Sequence, residues 1–331
     1  MRRREFIAIG CGTIIWPLSG RAQPVKKVPR LCFLTFDPGT PQSPSKRFEA
    51  FFDGLRDLGY VHGQTIMIDY LHPEGRSDRY PELAAACLRL KPDIIAVTTT
   101  PGADALKNAT STIPIVMVAL GDPVGTKLVD SLNHPGGNIT GMSQMTSGLA
   151  AKRLELLKEA VPGLSRVLVL AYLVDPISPL QVQALKDAAP ALNVTLQVVD
   201  IKTPDDLPAA FDAGVKAGAQ GVLTTAESIF RGARALVTEL AAQHKLPAIY
   251  PYAAFALSLE NGGLMAYDIT DRNLHRSAAN YVDKILKGAK PSDLAVQQPT
   301  KFQLVINLRT AKSLGLPIPP SLLARADEVI E

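Results

Sequence analysis

The stretch "STIPIVMVALGDPVG", residues 111–125, decides the fold. Residues 113–120 are almost wholly apolar and rich in β-branched side chains, which indicates a strand that is buried on both faces. The run ends abruptly at Gly121, Asp122 and Pro123, and these residue types favour turns and helix starts. A core strand with such a polar ending is typical of a parallel sheet in an α/β protein.

The same pattern recurs along the chain, and segments with helical spacing separate the apolar runs. Strands are predicted at residues 31–36, 65–70, 93–98, 115–119, 139–142, 166–170, 195–199, 221–225, 248–250, 264–266 and 302–306. Helices are predicted over residues 45–59, 79–90 with Asp78 as the cap, 101–108, 149–161, 180–189, 206–217, 233–244, 274–285 and 308–314. This alternation predicts an α/β fold with two doubly wound parallel-sheet lobes that crossover segments join.

The series of strands and helices starts again near residues 143–147, which predicts the junction between the lobes. We expect residues 29–143 with 272–300 to form lobe 1, and residues 144–271 with 301–331 to form lobe 2. The lobe placement of the C-terminal segment stays open. Hinges are expected near residue 143, residues 268–271 and residues 299–302, because a few linker positions absorb the rotation of one lobe against another.

The charge distribution excludes a broad nucleic-acid surface. The chain has 331 residues, of which 47% are hydrophobic and 20% are charged, and its formal charge is +4. Four of the 35 basic residues lie within the first 22 positions, so the remainder is close to neutral. A neutral domain lacks the basic footprint that nucleic-acid binding requires.

The N-terminus predicts export. "MRRREF" is a positively charged start, residues 7–18 form a short apolar run, and Gly20 and Ala22 are the small residues of a cleavage site. The run is too short to span a bilayer, so residues 1–22 are interpreted as a cleaved signal and the mature protein is placed in the periplasm. Both the twin-arginine and the Sec route stay open.

Two cysteines, Cys32 and Cys87, remain after cleavage. They could pair in an oxidising periplasm, but one lies in a predicted buried strand and the other on a predicted helix face, which favours inert buried thiols. The five histidines are scattered without the spacing of metal ligands. No metal and no cofactor is expected.

Candidate ligand contacts lie where the strands end, because ligands of open parallel sheets bind outside the carboxyl ends of the strands. They are Phe36, Asp37, Thr98, Thr99, Thr100, Gly121, Asp122, Tyr172, Asp175, Glu227, Tyr267 and Asp268. The threonine run at a helix start suits a carboxylate, the aromatic rings suit a flat apolar body, and the acidic side chains suit an ammonium group. Each residue alone is also a common cap or turn residue, and Tyr250 and Tyr252 are interpreted as packing residues.

Motifs for catalysis are absent from the sequence. No G-x-G-x-x-G follows the first strand, and neither a Walker loop nor a G-x-S-x-G elbow occurs. No histidine follows a predicted strand end, where it would serve as a general base. We therefore expect a binding protein without catalytic residues.

Several long stretches resemble one family. They are "FFDGLRDLGYVHGQTIMIDY", "STIPIVMVALGDPVGTKLVDSLNHPGGNITGMS", "LAAKRLELLKEAVPG" and the segment from "AANYVDKILKG" to the C-terminus. Together they are similar to the ABC transporter substrate-binding proteins that include tryptophan- and tyrosine-binding members. The resemblance covers nearly the whole mature chain.

The resemblance implies a type I periplasmic-binding-protein fold, in which two lobes close on a small amino acid or related carboxylate. It implies a monomer that delivers this ligand to an ABC permease and its ATPase. The threonine run, Gly121, Asp122 and Tyr267 match cleft positions of the family. The stretches "TFDPGT", "AYLVDP" and "AESIFRGA" depart from the family pattern at strand ends, so the family's ligand need not transfer. The alternative is a periplasmic sensor or enzyme on the same fold.

Overall fold

Every apolar run that the sequence predicts as a strand forms one. The computed structural model describes residues 27–257, 262–269 and 272–331; the predicted signal lies outside them, as do residues 270–271 of one predicted hinge. The strands are β1 (Arg30–Leu34), β2 (Met67–Leu71), β3 (Ile94–Val97), β4 (Ile115–Leu120), β5 (Ile139–Ser143), β6 (Arg166–Ala171), β7 (Thr195–Asp200), β8 (Gly221–Thr224), β9 (Ala248–Tyr250), β10 (Met265–Ile269), β11 (Phe302–Asn307) and β12 (Glu328–Ile330).

The strands form two sheets. The first has the order β2-β1-β3-β4-β5, and the second has the order β12-β11-β10-β9-β8-β6-β7. All pairings are parallel except that of β10 with β11, whose register places Tyr267 opposite Leu304. The predicted α/β architecture with two doubly wound sheets is therefore confirmed.

Helices cover both faces of each sheet. They are α1 (Glu49–Asp57), α2 (Tyr80–Arg89), α3 (Thr100–Ala109), α4 (Thr146–Ala160), α5 (Ser178–Ala188), α6 (Leu207–Lys216), α7 (Ser228–Gly232), α8 (Arg234–Gln243), α9 (Arg272–Leu286), α10 (Leu308–Ser313) and α11 (Pro320–Leu323). Two of these, α7 and α11, and strand β12 were not expected from the sequence. Asp78 does not cap α2, because a short 3₁₀ turn over Ser77–Arg79 precedes the helix.

The continuous apolar character of β4 follows from its position inside the first sheet. Val116 and Val118 belong to the core on the side of α1 and α9, whereas Ile115 and Met117 belong to the core on the side of α2 and α3. Successive side chains of a strand point to opposite faces. A strand covered on both faces therefore carries no polar position until it ends.

The chain passes repeatedly between the two sheets. It leaves the first sheet after β5, and it returns after β10 as α9, which packs on α1 and β4. It then runs beside β5, where Ser143 N donates to Gln297 O at 2.8 Å, and enters the second sheet as β11. The lobe and hinge boundaries expected from the sequence stay predictions.

Cys32 of β1 and Cys87 of α2 form a disulfide, with their Cα atoms 6.1 Å apart. The expectation of two inert thiols was therefore wrong. Both residues lie in the same buried cluster between the first sheet and its helices, so burial and pairing occur together. Within the described ranges, no helix is both long and apolar enough to cross a membrane.

Candidate ligand-binding site

A small cavity lies between the two sheets, at the carboxyl ends of their strands. Its described lining residues are Arg47, Thr98, Thr99, Thr100, Ala119, Leu120, Gly121, Gln144, Thr146, Asp175, Ile177, Ala226, Glu227, Ser228 and Tyr252. Segments that follow β3, β4 and β5 meet segments that follow β6, β8 and β9. Both sheets therefore contribute to one mostly polar cavity.

Half of the candidate contacts predicted from the sequence line this cavity. They are Thr98, Thr99, Thr100, Gly121, Asp175 and Glu227. The other six, Phe36, Asp37, Asp122, Tyr172, Tyr267 and Asp268, are not among the described lining residues. Contact of any of the twelve with a ligand stays a prediction.

The structure gives most of the second group other contacts. Asp122 accepts hydrogen bonds from Gly125 N at 2.9 Å and from Ser147 Oγ at 3.0 Å, so it closes the turn after β4. Tyr172 packs in the core of the second sheet. Tyr267 stacks on Phe302 with the ring centroids 6.1 Å apart. The two tyrosines therefore pack, and the ring that lines the cavity is Tyr252.

The threonine run is only partly free to meet a ligand. Thr98 Oγ donates to Thr35 Oγ at 2.9 Å, between neighbouring strand ends. Thr99 caps α3, because its Oγ accepts a hydrogen bond from Gly102 N at 3.3 Å. Thr100 begins the helix. Within the described ranges, the Thr100 side chain is the one in the run without a recorded hydrogen bond.

Two buried carboxyl groups, Asp175 and Glu227, form what we call the acidic pair. Glu227 Oε1 accepts from Gln181 Nε2 at 2.8 Å, and Glu227 Oε2 accepts from Thr225 Oγ1 at 2.5 Å. Asp175 Oδ1 accepts from Ile177 N at 3.1 Å. Burial raises the pKa of Asp175 to about 7. Burial, and next the charge of Asp175, raise the pKa of Glu227 well above its ordinary value.

Three arginines, Arg47, Arg153 and Arg231, form what we call the arginine group. Arg47 lies 3.6 Å from Asp37 Oδ2. Arg153 Nε donates to the carbonyl of Tyr267 at 2.9 Å. The Arg231 guanidinium lies over the Tyr252 ring, 3.5 Å from its centroid. Burial, and next the charge of Arg231, lower the pKa of Arg47.

The sequence analysis missed the arginine group and Tyr252. Arg231 lies in the stretch "AESIFRGA", four positions after Glu227, and the departure of this stretch from the family pattern was the available signal. Arg47 precedes the phenylalanine-rich helix α1 and follows no strand end directly. Its position in the cavity depends on tertiary packing.

Gly121 is required by the close approach of the two sheets. A Cβ atom at this position would lie 2.6 Å from Ile177 Cγ1 and 2.8 Å from Thr146 Oγ1. Ile177 belongs to the segment between β6 and α5, on the opposite sheet. The glycine at the end of β4 therefore allows the carboxyl ends of the strands to close over the cavity.

The described lining groups suit recognition of a small polar solute. Arginine, hydroxyl and carboxyl groups from both sheets surround the cavity, and Tyr252 supplies an aromatic face. Among the described residues, no cluster of three metal-ligating side chains is present. Histidine and cysteine do not occur among the described lining residues.

A family model for "ABC transporter substrate binding protein" matches residues 42–330. The chain belongs to the ABC transporter substrate-binding protein family. The expected resemblance is thereby confirmed, and so is the role of a solute-binding receptor of an ABC transporter.

Three relatives show how close the match is. The chain is 30% identical to the tyrosine-binding protein of Clostridioides difficile over 275 residues. These residues make up 83% of this chain and 78% of the relative. It is 26% identical to a Streptococcus pneumoniae ABC domain in complex with L-Trp, with a TM-score of 0.82 over 91% of this chain and 99% of that one. It is 25% identical to a ligand-free, open substrate-binding protein with adhesive properties from Clostridium difficile. The TM-score is 0.62, and the match covers 92% of this chain and 99% of that one.

Proposed function

We propose that this substrate-binding protein captures a small amino acid or related carboxylate, with an aromatic one preferred, and delivers it to an ABC permease and its ATPase. The ligand is held in the cavity between the two sheets and released by their separation. The protein acts in the periplasm after cleavage of its signal, as a monomer, and binds without turnover.

The observation that carries this proposal is that side chains of both charges line the cavity. One arginine, Arg47, and both carboxyl groups of the acidic pair line the same space. A zwitterion carries both charges that such a lining can pair. The acidic pair receives the ammonium group, because two carboxyl groups with raised pKa values gain most from a nearby cation.

Tyr252 supports an aromatic preference. Its ring lines the cavity, its hydroxyl donates to Ala226 O at 2.8 Å, and it is buried. The hydrogen bond fixes the ring, and aromatic pairs add about 0.5–1.5 kcal/mol beyond the area that they bury. The relatives that bind tyrosine and tryptophan support the same class of solute.

The higher TM-score with the L-Trp complex than with the open protein supports closure on a ligand. The disulfide supports an oxidising compartment, because such bonds persist outside the cytosol. Binding without turnover is supported by the family model and by the matched tyrosine-binding relative, since both describe binding proteins.

Calorimetry tests the proposal against a panel of amino acids, aromatic acids, sugars and nucleosides. We expect one-to-one binding of an amino acid or aromatic acid with micromolar or tighter affinity, about 8 kcal/mol, and recovery of the solute unchanged. Exclusive binding of sugars or nucleosides would reject the proposed ligand class, although the receptor role would stand. Conversion of a bound solute would favour the enzyme alternative.

A further inference from the structure

The guanidinium groups of the arginine group have more buried donors than the described protein atoms can pair. Nε and Nη1 of Arg47, Nη1 of Arg153 and Nε of Arg231 are buried without a hydrogen-bond partner among the described residues. Leaving a buried charged donor without a partner costs more than leaving a neutral one. Unpaired N–H donors on three arginines near the cavity therefore need an acceptor.

The neighbouring carboxylates form no hydrogen bond to these donors among the described residues. Asp268 Oδ2 accepts from Ala253 N at 2.9 Å and its Oδ1 accepts from Ile269 N at 2.7 Å. Asp37 Oδ2 forms an ion pair with Arg47 at 3.6 Å, which is too long for a hydrogen bond, and it is buried without a hydrogen-bond partner in the described structure. The two carboxylates therefore offset charge but leave the buried N–H donors unpaired.

Two of the arginines come from opposite sides of the cavity. Arg47 lies between β1 and α1 of the first sheet, and it lines the cavity. Arg231 lies in α7 of the second sheet, against Tyr252, which also lines it. The charges of Asp37 and Asp268 offset part of the repulsion between these two arginines, and an anion bound between the guanidinium groups would offset more of it.

Each guanidinium is held in place by an aromatic ring. The Arg231 guanidinium stacks on Tyr252, whose hydroxyl is fixed on Ala226 O at 2.8 Å. The Arg47 guanidinium lies 4.9 Å from the centroid of Phe48. Stacking fixes a guanidinium while its edge N–H groups stay available to a planar anion. The two donors are thus preorganised.

We propose that Arg47 and Arg231 form an anion clamp, in which the carboxylate of a small-molecule ligand is bound between the two guanidinium groups. Arg153 is held by its hydrogen bond to the Tyr267 carbonyl and is not part of the clamp. This inference rests on the proposed function and assigns the ligand's carboxylate to the arginines instead of the threonine run, where Thr98 and Thr99 already have structural hydrogen bonds. The clamp makes a free carboxylate an obligatory feature of the ligand and couples its binding to closure of the two sheets.

Paired probes test the clamp. Thermal-shift and calorimetric titrations compare L-tryptophan with tryptamine, and L-tyrosine with tyramine, since each amine differs from its amino acid by the missing carboxylate. We expect the amino acids to bind at least about tenfold more tightly than the amines, because a hydrogen bond to a charged group contributes more than a neutral one. Arg47→Gln and Arg231→Gln should each remove most of this preference. Arg234→Gln, at an exposed position one turn further along, is the matched control and should leave it unchanged.

The free protein gives a second readout that separates a ligand role from a structural one. We expect the unfolding temperature of ligand-free Arg231→Gln protein to stay close to that of the wild type, because the variant loses the contact with Tyr252 but also removes a partly buried guanidinium with an unpaired donor. A lower unfolding temperature together with an unchanged preference for the acid would overturn the clamp and leave the proposed ligand class intact. Equal binding of amines and amino acids by the wild type would overturn the clamp and the ligand class together.

Discussion

The acidic pair makes a specific prediction about pH. We expect L-tryptophan to bind more weakly as the pH falls from about 8 to about 6, because its ammonium group needs an ionised carboxylate at Asp175. Burial raises the pKa of Asp175 to about 7. About nine-tenths of such a group is ionised one pH unit above its pKa and about one-tenth one unit below, so the affinity should fall about tenfold, or about 1.4 kcal/mol.

The contribution of Asp175 to the stability of the ligand-free protein should change in the opposite direction. The folded protein retains a proton on Asp175 at pH values where the unfolded chain has lost it, since the folded pKa lies above the ordinary value of 3.8. This contribution therefore falls as the pH rises between about 4 and about 7. Buried His275, whose folded pKa is lowered to about 3, contributes the opposite slope below its ordinary value of 6.5, so the Asp175 contribution is measured as the difference in stability between the wild type and Asp175→Asn.

Calorimetry at several pH values, with buffers of different ionisation enthalpy, measures both the affinity and the protons released on binding. The matched control is Asp175→Asn, which should bind more weakly at about pH 8 and lose the slope between about pH 6 and 8. His275 contributes no slope there, because burial, and next the charge of Arg47, lower its pKa to about 3. Equal affinity of the wild type at both pH values, with no proton released, would refute this role of the acidic pair.

Three further predictions concern the mature chain. Replacing Cys32 and Cys87 by alanine should lower the free energy of unfolding by about 4 kcal/mol, because the disulfide closes a separation of 55 residues and restricts the unfolded chain. Denaturant titration measures this change, and an unchanged unfolding midpoint would contradict it. Mass analysis of periplasmic protein should place the N-terminus near Gln23, whereas retention of Met1 would exclude cleavage. Saturating L-tryptophan should reduce the radius of gyration in solution scattering, because the sheets approach each other through their crossing segments, and an identical profile with and without L-tryptophan would argue against closure.

The sheets could be predicted because strong local patterns decide them. Residues 115–120 are apolar at every position, and only a strand covered on both faces accepts that pattern. The two short helices α7 and α11 were missed because five and four residues are too few to show a helical period. Asp78 was assigned as a cap on residue type alone, and the chain makes a 3₁₀ turn there instead.

The site could be predicted only in part, for a different reason. The rule on strand ends identifies the edge of the sheet, but not which side chains at that edge face the cavity. Tyr172 and Tyr252 both follow strands, and only tertiary packing decides that the first joins a core while the second lines the cavity. Arg47 follows no strand end directly, so no local pattern marks it, and for Arg231 the one signal was the unusual stretch "AESIFRGA" after β8.

Native mass spectrometry of the protein purified from the periplasm of its own host tests the central claim most directly. It reports which solute occupies the cavity without a choice of candidates. The account predicts one small molecule per chain, carrying a free carboxylate and lost in the Arg231→Gln variant. A neutral sugar or nucleoside bound in its place would contradict the account.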